Sequence, residues 1–164
     1  MQYLIMFVVL AVVIGPVMWI MPSASQRKLV KLRQYAISKG FHIKVADMPQ
    51  SHRQKVRKQD PVRGVYYSLP LLSKPKAGDE KFHYCLTRSD TDAEWLDDNV
   101  PVNASIMEQL LLKMPETVIA VEHASYGVAI YWQEKGDHNT VDDITQLLQT
   151  FRQALSLNEN KESL

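Results

Sequence analysis

Between Tyr3 and Met21 the chain has no Asp, Glu, Lys or Arg, and nearly every residue is Leu, Ile, Val, Met or aromatic. At about 1.5 Å rise per residue, a helix of that length spans roughly 28 Å, close to the hydrocarbon thickness of a bilayer. A helix buried in a water-soluble domain is rarely this long and this uniformly apolar. A cleaved signal peptide needs a basic leader, a shorter apolar core and a small-residue exit. Only Met1 and Gln2 precede the run, and Ser23-Ala24-Ser25 matches a cleavage site loosely. The sequence therefore predicts an uncleaved single-pass anchor over residues 1–22. Gly15-Pro16 can kink it, which membrane helices tolerate, and Trp19 suits the interface.

The charge that follows is polarised. From Pro22 to Gly64 there are eleven Lys and Arg against Asp47 and Asp60, a net +9, while residues 65–164 carry a net −8. The whole-chain value of +1 hides this division. Positive charge just after an anchor holds that side in the cytoplasm. The N-terminus is expected outside and the rest of the chain inside, as in a signal-anchor protein of a bacterial inner membrane. Cys85 is the only cysteine, which excludes an intramolecular disulfide.

Past the anchor, the spacing predicts a basic amphipathic helix over Ser25 to Lys39, within a juxtamembrane segment 23–40 that ends at a C-cap glycine, Gly40. Arg33 interrupts its apolar side. A soluble domain over 41–157 follows. Phe41 to Ala46 reads as a strand, and Asp47 to Pro61, bounded by Pro49 and Pro61, as an exposed loop. Val62 to Leu69 is a second strand, and Pro70 to Glu80 a hairpin connection to a third. In that third strand, Lys81 to Arg88, the residues Phe82, Tyr84 and Leu86 alternate with His83, Cys85 and Thr87.

The stretch from Ser89 to Asn99 is acidic. A helix over Val102 to Lys113 is stopped by Pro115. Thr117 to His123 is a β-branched run fit for burial on both faces, and Gly127 to Gln133 is its hairpin partner. A final helix, Val141 to Leu155, is capped by Thr140 and shows one apolar face. Residues 158–164 read as a flexible tail. The sum is an α+β domain, with a mostly antiparallel sheet of about five strands and about three helices beside the anchor.

The five histidines form no metal spacing, and one cysteine excludes a Cys-rich zinc site. His83 and Cys85 share a strand face, as a metal pair or a nucleophile with its base would, but such coincidences are common. Glu122 and His123 are adjacent in a strand and so point to opposite faces. No glycine-rich phosphate loop and no nucleophile elbow occur, and no catalytic residue, metal ligand or cofactor is expected.

The basic residues carry more information. Topology alone accounts for Arg27, Lys28 and Lys31. It accounts less well for Arg53, Lys55, Arg57 and Lys58, which lie some way past the anchor. With Lys39, these eight side chains are the expected contact with anionic headgroups, worth about 1 kcal/mol each near the surface. An acidic protein partner ranks next. Nucleic acid ranks last, because the segment Ser51 to Asp60 has no aromatic residue to stack on bases. The expected function is non-catalytic: a membrane-tethered accessory domain that binds or helps to assemble a membrane complex with a protein partner. The alternative is a tethered enzyme or small-ligand module, resting on His83, Cys85 and the scattered acids.

Overall fold

The computed structural model describes residues 3–10, 14, 23–71, 82–88, 93–96, 100–101 and 104–162, with side chains as far as Leu155. The chain divides into two compact units, Met1–Lys31 and Leu32–Leu164. In the first unit, residues 3–10 form a helical stretch, α1, whose side chains are all exposed. Residues 11–13 and 15–22 of the expected anchor lie outside the described residues. Among the described residues no helix is long and apolar enough to cross a membrane.

The next helix is α2 (Ala24–Ser38). Ser23 Oγ accepts from the Gln26 N–H at 3.3 Å, and Gln26 Oε1 accepts from the Ser23 N–H at 3.0 Å. This reciprocal box satisfies two otherwise unpaired amides and starts the helix one residue early. The break between the two units falls inside α2. Leu32 and Ala36, one turn apart, are its buried residues. Val30 and Ile37, apolar by spacing, stay exposed. Gly40 ends the helix at φ +94°, and the Phe41 N–H reaches back to the Ala36 carbonyl at 3.2 Å. Only glycine adopts that backbone freely, as the C-cap reading required.

Among the described residues six strands build one sheet: β1 (His42–Asp47), β2 (Arg63–Pro70), β3 (His83–Arg88), β4 (Ala93–Trp95), β5 (Val118–Ala124) and β6 (Gly127–Trp132). Every pairing is antiparallel, in the order β1-β2-β6-β5-β3-β4. Two expectations need correction. The sheet has six strands rather than about five, because three residues of the acidic segment add β4 to its edge. The second and third strands are also not hairpin neighbours. The β5–β6 hairpin inserts between them, so β2 and β3 are not joined as a hairpin; residues 72–80 of the Pro70 to Glu80 connection lie outside the described residues. Alternation along a strand reveals its two faces but not its neighbours. Gly127 permits the insertion, since a Cβ there would collide with the Leu69 carbonyl of β2.

Among the described residues three further helices follow: α3 (His52–Val56), α4 (Ala104–Lys113) and α5 (His138–Glu162). Leu32 and Ala36 of α2, Met107 and Leu111 of α4, and Ile144, Leu148 and Phe151 of α5 share one core with Tyr67, Leu86, Val121, Ile130 and Trp132 of the sheet. Each large side chain buried this way contributes about 1.5–3 kcal/mol. A bulge at Ile119 shifts the β5 register between Val118, which pairs with Trp132, and Ala120, which pairs with Tyr131. Val118 and Val121 can therefore both enter the core, while Ala120 and Glu122 take the opposite face.

Helix α5 starts earlier and runs later than its apolar periodicity suggests. Asp137, not Thr140, is its cap: Asp137 Oδ1 accepts from the Thr140 N–H at 3.0 Å, and Thr140 Oγ1 accepts from the Asp137 N–H at 3.3 Å. The helix continues through Glu162.

The face of the sheet away from α2, α4 and α5, helix-free except for the short α3, is overlaid at one end by the segment Asp47 to Pro61, expected as an exposed loop and found to contain α3. Ser51 and Gln54 form a complete capping box on it. Met48 is buried where a side chain at Gly64 would collide with it. Gln50 Nε2 donates to the Gln59 carbonyl at 2.6 Å, and the His52 N–H donates to Glu94 Oε1 at 3.1 Å. A helix this short has no apolar stripe, so periodicity is blind to it.

Candidate functional site

On the helix-free face the strand register sets Glu122 of β5 opposite Cys85 of β3 and Ala129 of β6. Tyr66 of β2 is paired with Tyr131 of β6 one step along. Ala129 is small, and the long tyrosine side chains converge on the carboxyl group beyond it. The Tyr66 hydroxyl donates to Glu122 Oε1 at 2.8 Å and the Tyr131 hydroxyl to Oε2 at 3.0 Å. The Tyr126 hydroxyl, from the β5–β6 turn, also donates to Oε1 and lies 3.2 Å from the Tyr66 hydroxyl. His83 Nε2 sits 3.3 Å from Oε2. Glu122 is 2 % exposed, yet Tyr126 is 56 % exposed: a buried acid lies under side chains that solvent reaches.

Burial, and then the hydrogen bonds at Glu122, raise the phenol pKa values of Tyr66, Tyr131 and Tyr126; at Tyr66 the bond with Tyr126 adds to this. These hydroxyls therefore remain donors at neutral pH and are not poised as nucleophiles or bases. Cys85 is 3 % exposed and faces an acid, which is not the electropositive surrounding that activates a thiol. The arrangement can hold a hydrogen-bonding or cationic group over its aromatic rings. Tyr66 and Tyr131 were not singled out in the sequence. Their signal was parity: each falls between core residues, Val65 and Tyr67 or Ile130 and Trp132. Glu122 gave a second signal, a charge inside an apolar strand, which must be partnered if buried.

His123 points the other way, as adjacency to Glu122 requires. It is 6 % exposed, and its ring packs edge-on against Phe82 and Phe151. Neither ring nitrogen has a hydrogen-bond partner among the described residues, and burial pushes its pKa down to about 4.

The expected headgroup contacts fall into three groups. Arg27, Lys28 and Lys31 lie exposed on the part of α2 within Met1–Lys31. Arg53 and Lys55 lie on α3, with Arg57 and Lys58 on the turn that ends it, and all four are exposed. Lys39 differs: its Nζ pairs with Asp142 Oδ1 at 2.8 Å and sits over the Tyr35 ring. That bond to Asp142, then the one to Tyr35, raises the lysine pKa, so its charge is already engaged within the fold. Arg33, the residue that broke the apolar side of α2, makes a two-pronged ion pair with Glu134 at 2.7 and 2.6 Å.

Between the 48–62 segment and the sheet lies a recess of about 140 Å³, bordered by Met48, Gln50, Gln54, Thr87, Arg88 and Gln133. Among the described residues, no three His, Cys, Asp or Glu side chains are placed to hold a metal ion. Compared with known proteins, the chain matches no family model, no curated protein and no solved structure.

Proposed function

We propose that this chain is a membrane-tethered, non-catalytic binding domain that joins or helps to assemble a membrane complex, and that the helix-free face of its sheet is where the protein partner docks. The observation that carries the reading is the Glu122 cluster: a buried acid held by three tyrosine hydroxyls and His83, open to solvent through Tyr126. Tyrosine supplies large, rigid contact area at low entropic cost, which is why it is enriched at protein interfaces. The anchor over residues 1–22 rests on the uncharged run of the sequence. With the +9 segment next to it, the domain lies on the cytoplasmic side. Arg27, Lys28, Lys31, Arg53, Lys55, Arg57 and Lys58 then serve anionic headgroups, and Lys39 serves the fold.

Affinity purification of the full chain from mild detergent tests this reading. A stoichiometric partner that is lost with Tyr66→Ala and Tyr126→Ala is expected, and a chain that runs alone would remove its basis. C-terminal reporter fusions test the topology: a cytoplasm-only fluorescent reporter should be active, and alkaline phosphatase activity would reverse the orientation.

The second reading, a small-ligand module or enzyme at the membrane, is favoured by one observation, the approach of His83 to the Glu122 carboxyl with Cys85 beside it. A small molecule that raises the Tm of the wild type and not of Glu122→Gln would move the assignment there.

A further inference from the structure

The two edges of the sheet are unlike. At one edge β4 has three residues. At the other, β1 has six, with no proline and no bulge, and no described strand covers its outer side. An edge of this kind is a template for another strand. Its polarity can be read from one bond: the Met48 N–H donates inward to the Val62 carbonyl at 2.8 Å. In antiparallel pairing the amide and carbonyl of a residue point the same way and alternate along the strand. His42, Lys44 and Ala46 therefore bond to β2, and Ile43, Val45 and Asp47 turn their backbone groups outward. Val45 is also 60 % exposed.

We infer that two copies of this chain pair through β1, antiparallel about a twofold axis at Val45, joining two six-stranded sheets into one. The strand's own sequence selects this occupant and this register. With the axis at Val45, all three outward residues find partners: Val45 meets Val45 of the partner subunit, and Ile43 meets Asp47 of the partner subunit. That makes about six backbone hydrogen bonds, two for each facing pair. Lys44 then lies across from Ala46 of the partner subunit, which is small and uncharged. Moving the axis to Lys44 would set two ammonium groups face to face, which is destabilising. Moving it to Ala46 leaves Ile43 without a partner. The chosen register covers the exposed Val45 and opposes no like charges. The pairing uses a different surface from the Glu122 face and stands apart from the function proposed above.

The test uses the full chain in mild detergent. Sedimentation should report a dimer. Cα atoms of a facing hydrogen-bonded pair lie about 5.5 Å apart, within disulfide reach. Val45→Cys should therefore cross-link with an oxidant faster than Lys44→Cys, and the wild type, whose Cys85 is buried, should not cross-link. Val45→Lys and Val45→Glu should each dimerise about tenfold more weakly than the wild type, and an equimolar mixture of the two should recover the dimer. The recovery separates a lost interface from a lost fold. A wild-type monomer, faster cross-linking through Lys44→Cys, or a mixture no better than its parts would each overturn the inference. So would a different protein captured at β1 in place of the second copy.

Discussion

The two faces of the sheet bury an acid in opposite ways. On the helix-covered side, Glu134 accepts both prongs of Arg33 and the Tyr67 hydroxyl at 2.6 Å. The ion pair ties α2 to the end of β6, and it raises the arginine pKa. On the open side, Glu122 is held by three neutral hydroxyls and one imidazole, and among the described residues no lysine or arginine pairs with it. The first arrangement fastens a helix to a sheet. The second leaves a buried carboxyl group under hydroxyl donors at the solvent-facing side of the sheet. A buried acid thus meets its own cation on one face and only neutral hydroxyls and an imidazole, among the described residues, on the other.

Substitutions on each face sharpen the contrast. The largest effect is expected on the covered side: Leu148→Ala removes a fully buried α5 side chain and should cost about 2–5 kcal/mol of unfolding free energy in denaturant titration. Equal sensitivity to Tyr66→Phe, which deletes one hydroxyl from the open face, would erase the distinction between the faces.

His123 should make the covered side acid-sensitive. Its pKa falls to about 4 in the fold from the usual 6.5, so between those values the unfolded chain binds a proton that the folded chain does not. The stabilisation is complete above the upper value and is lost as pH falls toward the lower one, by about 3 kcal/mol in all. His123→Leu should remove that part of the acid dependence, and an unchanged acid limb would show that the ring titrates normally.

The two acids themselves give smaller shifts. Arg33→Met strands buried Glu134 and should cost about 2 kcal/mol, reduced because the arginine is a third exposed. Glu122→Gln keeps an acceptor for two of the tyrosines and should cost about 1 kcal/mol. The reverse order would make the open face the structural one. Smallest for the fold is the replacement of Arg53, Lys55, Arg57 and Lys58 by Gln. Stability should hold, while binding of the chain without its first 21 residues to anionic liposomes weakens and becomes less salt-sensitive. Equal binding to neutral and anionic vesicles would confine these charges to topology.

Much of the fold was legible because single elements carry their own signals. The alternation in β2 and β3, the apolar face of α5 and the cap at Gly40 each depend on neighbours in sequence. The strand order was not, since nothing local says that the β5–β6 hairpin enters between β2 and β3. The capping box of α3 and the three residues of β4 were too short for periodicity. The Glu122 site was the least legible part. Its groups come from β2, β3, β5, β6 and the turn at Tyr126, and the bulge at Ile119 decides which face Glu122 takes.

The most direct measurement is photo-cross-linking in intact membranes from one position on each side of the sheet. A photoreactive residue replacing Tyr126 reports on the open face, and one replacing Leu112, which is 77 % exposed on α4, reports on the helix layer. The expected result is a discrete adduct with one other protein from Tyr126 and none from Leu112, with the Tyr126 adduct weakened by Tyr66→Ala. Adducts from both positions alike, or from neither, would contradict a partner surface on the helix-free face.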